Sequence, residues 1–445
     1  MLTRRAPQFL SITSILALGL FASLAFSQEK PKLKDFGSSL KRLKWNPKEN
    51  AAVEKAAKEK PKISDNEDVV RIETSLVVCD LQVIDQHGQS VPGLTQKDFV
   101  LSEDGKPQQV GMFSLGDNAA VPRSIVLIID YSGSQLPFLN TSITAARALV
   151  DKLGPLDRMA IVTDDVELLN DFTRDKTKLK DNLEKLRLRS TSGAFPLLSG
   201  QRRVGRSMQY SALMATLKEA FSKEDERPII IFQTDGDEAI YLRNPIIAFE
   251  AAPGLPDDLR KEYAQFLARF RKYQHDKQRE FSLNDVYIAT QKSRATIYTV
   301  VPGFRLLGLN PDEQIKQIRA QTEAFSMSGP PSMRQNATKR IDDNFARMGP
   351  EELRRGIDRA VKVQGALAKV ATISGGWTEF LEQPSQADEI YSRIVSDINR
   401  RYLVGYYPTN KEHDGKLRKI SFEVRGHPEY VVMGRKAYYA PDPDQ

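Results

Sequence analysis

Asp130-Tyr131-Ser132-Gly133-Ser134 sets one carboxylate and two hydroxyls at alternate positions of a short stretch. In a tight loop, side chains at 130, 132 and 134 can converge on one point. Hard oxygen donors of this kind suit Mg²⁺ or Mn²⁺, with Ca²⁺ a third option. A second carboxylate, Asp235, stands in Gln233-Thr234-Asp235-Gly236-Asp237. Ser207, in Gly205-Arg206-Ser207, adds a hydroxyl at a helix entrance, where an ordinary N-cap would also place a serine. Alone, Asp-x-Ser-x-Ser is a weak signal, because small polar residues crowd most loops.

Other chemistries have less to build on. One cysteine, Cys79, excludes an intramolecular disulfide framework and a structural Cys-zinc site. The four histidines (His87, His275, His413 and His427) are scattered. A serine hydrolase needs a glycine-flanked nucleophile elbow, which Tyr131-Ser132-Gly133-Ser134 lacks. An aspartyl phosphotransferase would carry Asp-x-Asp, and position 132 is serine. The expectation is a binding protein, not an enzyme.

The loops need strands to carry them. Residues 124–130 (Ser-Ile-Val-Leu-Ile-Ile-Asp) form a short apolar run with no alternation, as in a strand buried on both faces. Similar runs lie at 159–162, 229–232 and 295–301. Helical spacing separates or follows them at 140–153, 208–221, 285–292, 367–374 and 387–400. Buried strands alternating with helices predict a doubly wound, mostly parallel α/β sheet. Ligands bind such sheets at the carboxyl ends of the strands, where both Asp130 and Asp235 would emerge.

The flanks read differently. Strand-like runs at 70–83, 98–101 and 109–113 precede the α/β pattern, and runs at 401–407, 418–424 and 430–439 follow it. Neither flank is large enough to fold alone, so 69–116 and 401–440 are expected to pair into one antiparallel β sandwich beside an α/β domain over 121–400. Two stretches, 241–281 and 303–360, interrupt the α/β pattern as insertions. The first includes a charged amphipathic helix over 257–280 with Tyr263, Phe266, Leu267, Phe270 and Tyr273 at helical spacing.

At 445 residues the chain has room for two or three domains. Its formal charge of +7 is confined to the N-terminal part. Residues 1–27 contribute +2, residues 28–66 contribute +5, and residues 67–445 sum to zero. The basic balance therefore belongs to a tail, and nucleic-acid binding by the folded part loses its support. Arg4, Arg5, the apolar run 9–26 and the small-residue exit Ala25-Phe26-Ser27 have the parts of a secretory signal, 1–27. An uncleaved anchor helix is the alternative. Residues 28–66, rich in Lys, Pro, Glu and Ala, read as a disordered basic linker. After cleavage no membrane span is expected, and the product would be periplasmic or extracellular.

Together these residues resemble a von Willebrand factor type A domain with its metal-ion-dependent adhesion site. That site uses Asp-x-Ser-x-Ser, a Thr from a separate loop and an Asp after a later buried strand. The matching residues are Asp130, Ser132, Ser134, Ser207 at the Thr position, and Asp235, with Thr191 and Ser192 as alternatives for the third loop. "GLTQKDFVLSEDGKPQQVGMF", "NDFTRDK", "YLVGYYPTN" and "VVMGRKAYYA" further resemble exported von Willebrand type A-related proteins of the acidobacterial kind. The resemblance implies a divalent cation, Mg²⁺ or else Mn²⁺ or Ca²⁺, held directly by Ser132 and Ser134. Asp130 and Asp235 would hold it directly or through water, and Ser207 would switch between the two modes. A partner protein would complete the site with an Asp or Glu carboxylate, so that the function is adhesion-type binding. The rival expectation is an envelope scaffold with a vestigial site.

Overall fold

The computed structural model describes residues 76–116, 122–132, 135, 138–193, 208–221, 227–245, 264–265, 268, 278–328, 334, 337–347 and 350–442. The signal and linker expectations (1–27 and 28–66), Ser134, Ser207 and most of the 257–280 helix lie outside them.

The chain enters through β1 (Val77–Ile84), β2 (Phe99–Glu103), β3 (Lys106–Gln108) and β4 (Val110–Leu115). The α/β part follows as β5 (Arg123–Ile129), α1 (Leu139–Lys152), β6 (Arg158–Thr163), β7 (Leu168–Thr173), α2 (Lys176–Gly193), α3 (Gln209–Glu219), β8 (Arg227–Gln233), α4 (Leu283–Lys292) and β9 (Thr296–Pro302). It continues with α5 (Pro311–Ser328), α6 (Ala337–Arg347), α7 (Pro350–Ser374), β10 (Thr378–Leu381) and α8 (Ala387–Arg400). The chain returns to β structure in β11 (Tyr402–Tyr406), β12 (Leu417–Val424), β13 (Val431–Met433) and β14 (Ala437–Tyr439).

The central sheet has the order β10-β9-β8-β5-β6-β7. Every pairing is parallel except β6 with β7. Six of the seven residues of β5 and all seven of β8 are buried, which is why their sequences do not alternate. Ile125, Leu127 and Ile129 point to the face covered by α1 and α8, and Val126 and Ile128 to the face covered by α3, α4 and α7. The fold is the expected doubly wound α/β sheet.

Its accompanying sandwich is also present. One antiparallel sheet runs β13-β1-β11-β4 and the other β14-β12-β2-β3. Each mixes strands from both flanks: β11 lies between β1 and β4, and β12 pairs β2. Leu115, the last residue of β4, sits opposite Tyr402, the first of β11, so the α/β domain leaves and re-enters the sandwich at one point.

Several elements depart from the expectation. The run at 430–439 is two strands in two sheets, β13 against β1 and β14 against β12. The break falls at Gly434, where a Cβ would lie 2.5 Å from Leu81 Cδ2 and displace that side chain. Edge strand β7, short β10 and helix α2, the last with Leu179, Leu183 and Leu186 buried at helical spacing, are not among the expected elements. Helix α7 begins at Pro350, well before 367, and much of the 303–360 insertion is helical. Pro350 at its first position and Glu351 and Glu352 in its first turn favour that start.

Two arginine clusters join the sandwich to the α/β domain. Arg227 pairs both carboxylate oxygens of Asp80 (2.9 and 2.6 Å) and donates to Gly116 O (3.1 Å). Arg401, fully buried at the end of α8, donates to Asp397 Oδ2 (2.8 Å), Gly375 O (2.7 Å) and Asp80 O (3.3 Å). Tyr298 and Trp377 donate to the same Asp397 oxygen, at 2.7 and 3.2 Å. Removing one partner of such a pair strands a buried charge. Arg401→Ala is expected to lower the unfolding free energy by about 3–5 kcal/mol, read from the urea midpoint; a loss below about 1 kcal/mol would show that the cluster contributes little.

Candidate functional site

Strand register brings the candidate residues together. Ile129 sits opposite both Thr163 and Gln233, so β5, β6 and β8 end level. The residues that follow, Asp130, Asp164 and Thr234-Asp235, emerge side by side. Backbone bonds lock the exit: Asp130 N–H donates to Gln233 O (3.0 Å) and Asp164 N–H to Ile129 O (3.1 Å).

Asp130 is 1% exposed. Its Oδ1 accepts the Ser132 N–H (2.9 Å), which curls the loop back over the carboxylate. Its Oδ2 accepts from Thr234 Oγ1 and Gln209 Nε2, both at 2.9 Å. Asp235 Oδ1 accepts the Asp237 N–H (3.1 Å) and a longer bond from the same Gln209 Nε2 (3.4 Å). Asp235 Oδ2 accepts from Gln135 Nε2 (2.5 Å). A single amide nitrogen thus bridges the two predicted carboxylates. Gly236, at φ 77°, makes the turn beyond Asp235; a Cβ there would meet Val363 and Leu367 at 3.0–3.2 Å.

Gln209 is the first residue of α3 and is wholly buried. Its Oε1 accepts the Glu238 N–H (3.0 Å), which fixes the orientation of the amide. Glu238, also wholly buried, accepts from Ser211 N (2.9 Å) and Ser211 Oγ (2.6 Å) in the first turn of α3, and from Arg279 Nε (2.5 Å). A carboxylate at a helix N-terminus is favourably placed against the helix dipole.

The structure therefore brings Asp130 and Asp235 to one polar centre through Gln209, with the Ser132 backbone N–H bonded to Asp130. Ser134 and Ser207 lie outside the described residues. Thr191 and Ser192, the alternatives for the third loop, fall within α2. Among the described residues there is no group of three or more His, Cys, Asp or Glu side chains arranged to hold a metal ion. A cation here would depend on hydroxyl and amide oxygens beside the two carboxylates. That donor chemistry fits a hard divalent ion.

Sequence reading missed Gln135, Gln209, Thr234, Glu238 and Asp164. Asp164 had a signal, since it directly follows a buried parallel strand just as Asp130 does. The two glutamines had none, because nothing in their spacing separates them from ordinary surface residues.

Asp164 Oδ1 accepts the Tyr131 N–H (3.1 Å), while Tyr131 OH donates to Asp165 (3.1 Å). Burial raises the Asp164 carboxyl well above the usual carboxylate range, and the charges of Asp130 and Asp165 raise it further.

No family model matches the chain, and no curated protein matches it. Among solved structures it is similar to BatB from Bacteroides thetaiotaomicron, at 14% identity over 62% of this chain and 98% of that one, with TM-score 0.30. It is similar to the vWF domain of the type V pili tip protein Mfa5 from Porphyromonas gingivalis, at 16% identity over 63% and 95%, with TM-score 0.34. It is also similar to manganese-loaded Plasmodium vivax TRAP protein, at 12% identity over 76% and 97%, with TM-score 0.28. The strand order β10-β9-β8-β5-β6-β7, parallel but for its one antiparallel edge pairing, is that of a doubly wound α/β sheet with Asp130 and Asp235 at the carboxyl ends of adjacent strands.

The raised Asp164 carboxyl has a pH consequence. Its folded value exceeds its unfolded one, so the folded chain binds more protons between the two. That contribution to stability is full below the unfolded value, about 3.9, and is lost as pH rises toward the folded one. Asp164→Asn, whose amide oxygen can still accept the Tyr131 N–H, is expected to flatten this fall. Urea unfolding in chelator at pH 5 and pH 7 measures it; an unchanged slope would assign the pH dependence elsewhere.

Proposed function

We propose that this protein is an exported adhesion-type module that binds a partner protein through a divalent cation, and that it works by binding and not by turnover. The observation that carries this reading is the convergence of Asp130 and Asp235 on one amide nitrogen beside the Ser132 loop. Ser132, Asp130 and Asp235 would hold the ion, joined from the sequence pattern by Ser134 and Ser207. When bound, Mg²⁺, Mn²⁺ or Ca²⁺ would supply an under-neutralised positive centre for an Asp or Glu carboxylate of the partner. The chain's own residues arrange this. Thr234 and Gln209 hold Asp130 in place, Gln135 and the Asp237 N–H hold Asp235, and Gly236 lets the second loop turn away from the site.

Export rests on the sequence features of residues 1–27. Among the described residues no helix is long and apolar enough to cross a membrane.

A second reading, an envelope scaffold with a vestigial site, has one observation in its favour. All four carboxylate oxygens of Asp130 and Asp235 already accept hydrogen bonds from the chain. Mn²⁺ titration of the purified protein beside Asp130→Ala separates the two, by calorimetry and by paramagnetic resonance. The adhesion reading expects saturable one-site binding that the variant loses by at least about tenfold. Absence of binding to a well-folded wild type would move the assignment to the scaffold.

A further inference from the structure

Gln135 is the residue immediately after the Asp-x-Ser-x-Ser run, and it is 1% exposed. Its backbone is held in tight turns: its N–H donates to Ser132 O (3.0 Å), and its carbonyl accepts the Phe138 N–H (2.9 Å). Its side chain is fixed as well, with Nε2 donating to Asp235 Oδ2 at 2.5 Å. Turning the amide over would set two acceptors against each other at that distance, so the nitrogen faces Asp235. The amide oxygen is therefore also placed, about 2.3 Å from Nε2 by covalent geometry. That Oε1 is buried and has no hydrogen-bond donor among the described residues. Buried polar atoms are rarely left this way, and each one calls for an explanation. A carbonyl oxygen has no proton to give, so what it lacks is a donor or a cation.

We propose that Gln135 is a further ligand residue of the cation site, its Oε1 coordinating the divalent ion while its Nε2 steadies Asp235. Amide carbonyl oxygens are ordinary ligands for hard cations, and adding one increases ligand number without neutralising the ion. This keeps the site electrophilic toward an incoming carboxylate. The proposal rests on the metal-site reading above.

Gln135→Glu and Gln135→Leu test it in the full chain with Mn²⁺ as the probe. Affinity comes from calorimetry, and the number of bound waters from water-proton relaxation. Glutamate keeps a ligand oxygen but loses the N–H to Asp235, whereas leucine loses both. If Gln135 is a ligand, Gln135→Leu weakens Mn²⁺ roughly tenfold and adds about one bound water. Gln135→Glu then binds at least as tightly as wild type with the water count unchanged. If Gln135 only positions Asp235, both variants weaken binding alike with no added water, and the proposal is overturned. It is equally overturned if Gln135→Leu binds as wild type does while Asp130→Ala does not, an outcome that leaves the metal-site reading standing. Absence of binding to wild type removes that reading and this proposal with it. Gln135→Glu serves as the folding control for the leucine variant, with thermal melts of all three in chelator.

Discussion

The level ending of β5, β6 and β8 is the constraint from which the site follows. Parallel pairing places Asp130, Asp164 and Asp235 at one end of the sheet, and a buried setting makes their mutual repulsion costly. Neutral donors hold this arrangement. Thr234, Gln209 and Gln135 each give a hydrogen bond to a carboxylate without cancelling its charge. A lysine in the position of Gln209 would cancel one of the two negative charges that Asp130 and Asp235 supply. Amides instead preserve a centre that is ordered and still attractive to a cation.

The order of that centre is supplied by elements packed beneath it. Gln209 is aimed by its own bond to the Glu238 N–H, and Glu238 is fixed by the first turn of α3 and by Arg279. On the other face, Tyr391 of α8 donates to Gln233, the last residue of β8. Helices from both layers therefore hydrogen-bond directly to the strand ends. Changes in helix position would be felt directly where the aspartates emerge.

Much of this was legible in the sequence, for identifiable reasons. The unalternating runs at 124–130 and 229–232 announced strands buried on both faces, and with them the edge at which Asp130 and Asp235 would meet. The pairing of the two flanks followed from their being too small to fold separately. Part of what escaped notice lacked pattern. Strand β7 is an edge strand with Asn and Asp in its middle, and β13 and β14 read as one run because the switch between sheets depends on Gly434 meeting Leu81, a contact far apart in sequence. Gln135 and Gln209 are visible only once the loops are folded, because their roles depend on which atoms face each other across 26 to 100 residues of chain.

The sandwich has a mechanical meaning. The α/β domain is threaded between β4 and β11, and its entrance and exit lie opposite each other at Leu115 and Tyr402. Strand β1 meanwhile pairs directly with β11 and β13. Tension applied across the two flanks is carried through these ladders and bypasses the inserted domain. The loops that carry Asp130 and Asp235 thus stay unstretched until strand pairing in the sandwich shears, a safeguard if the work of the module is to hold on to something.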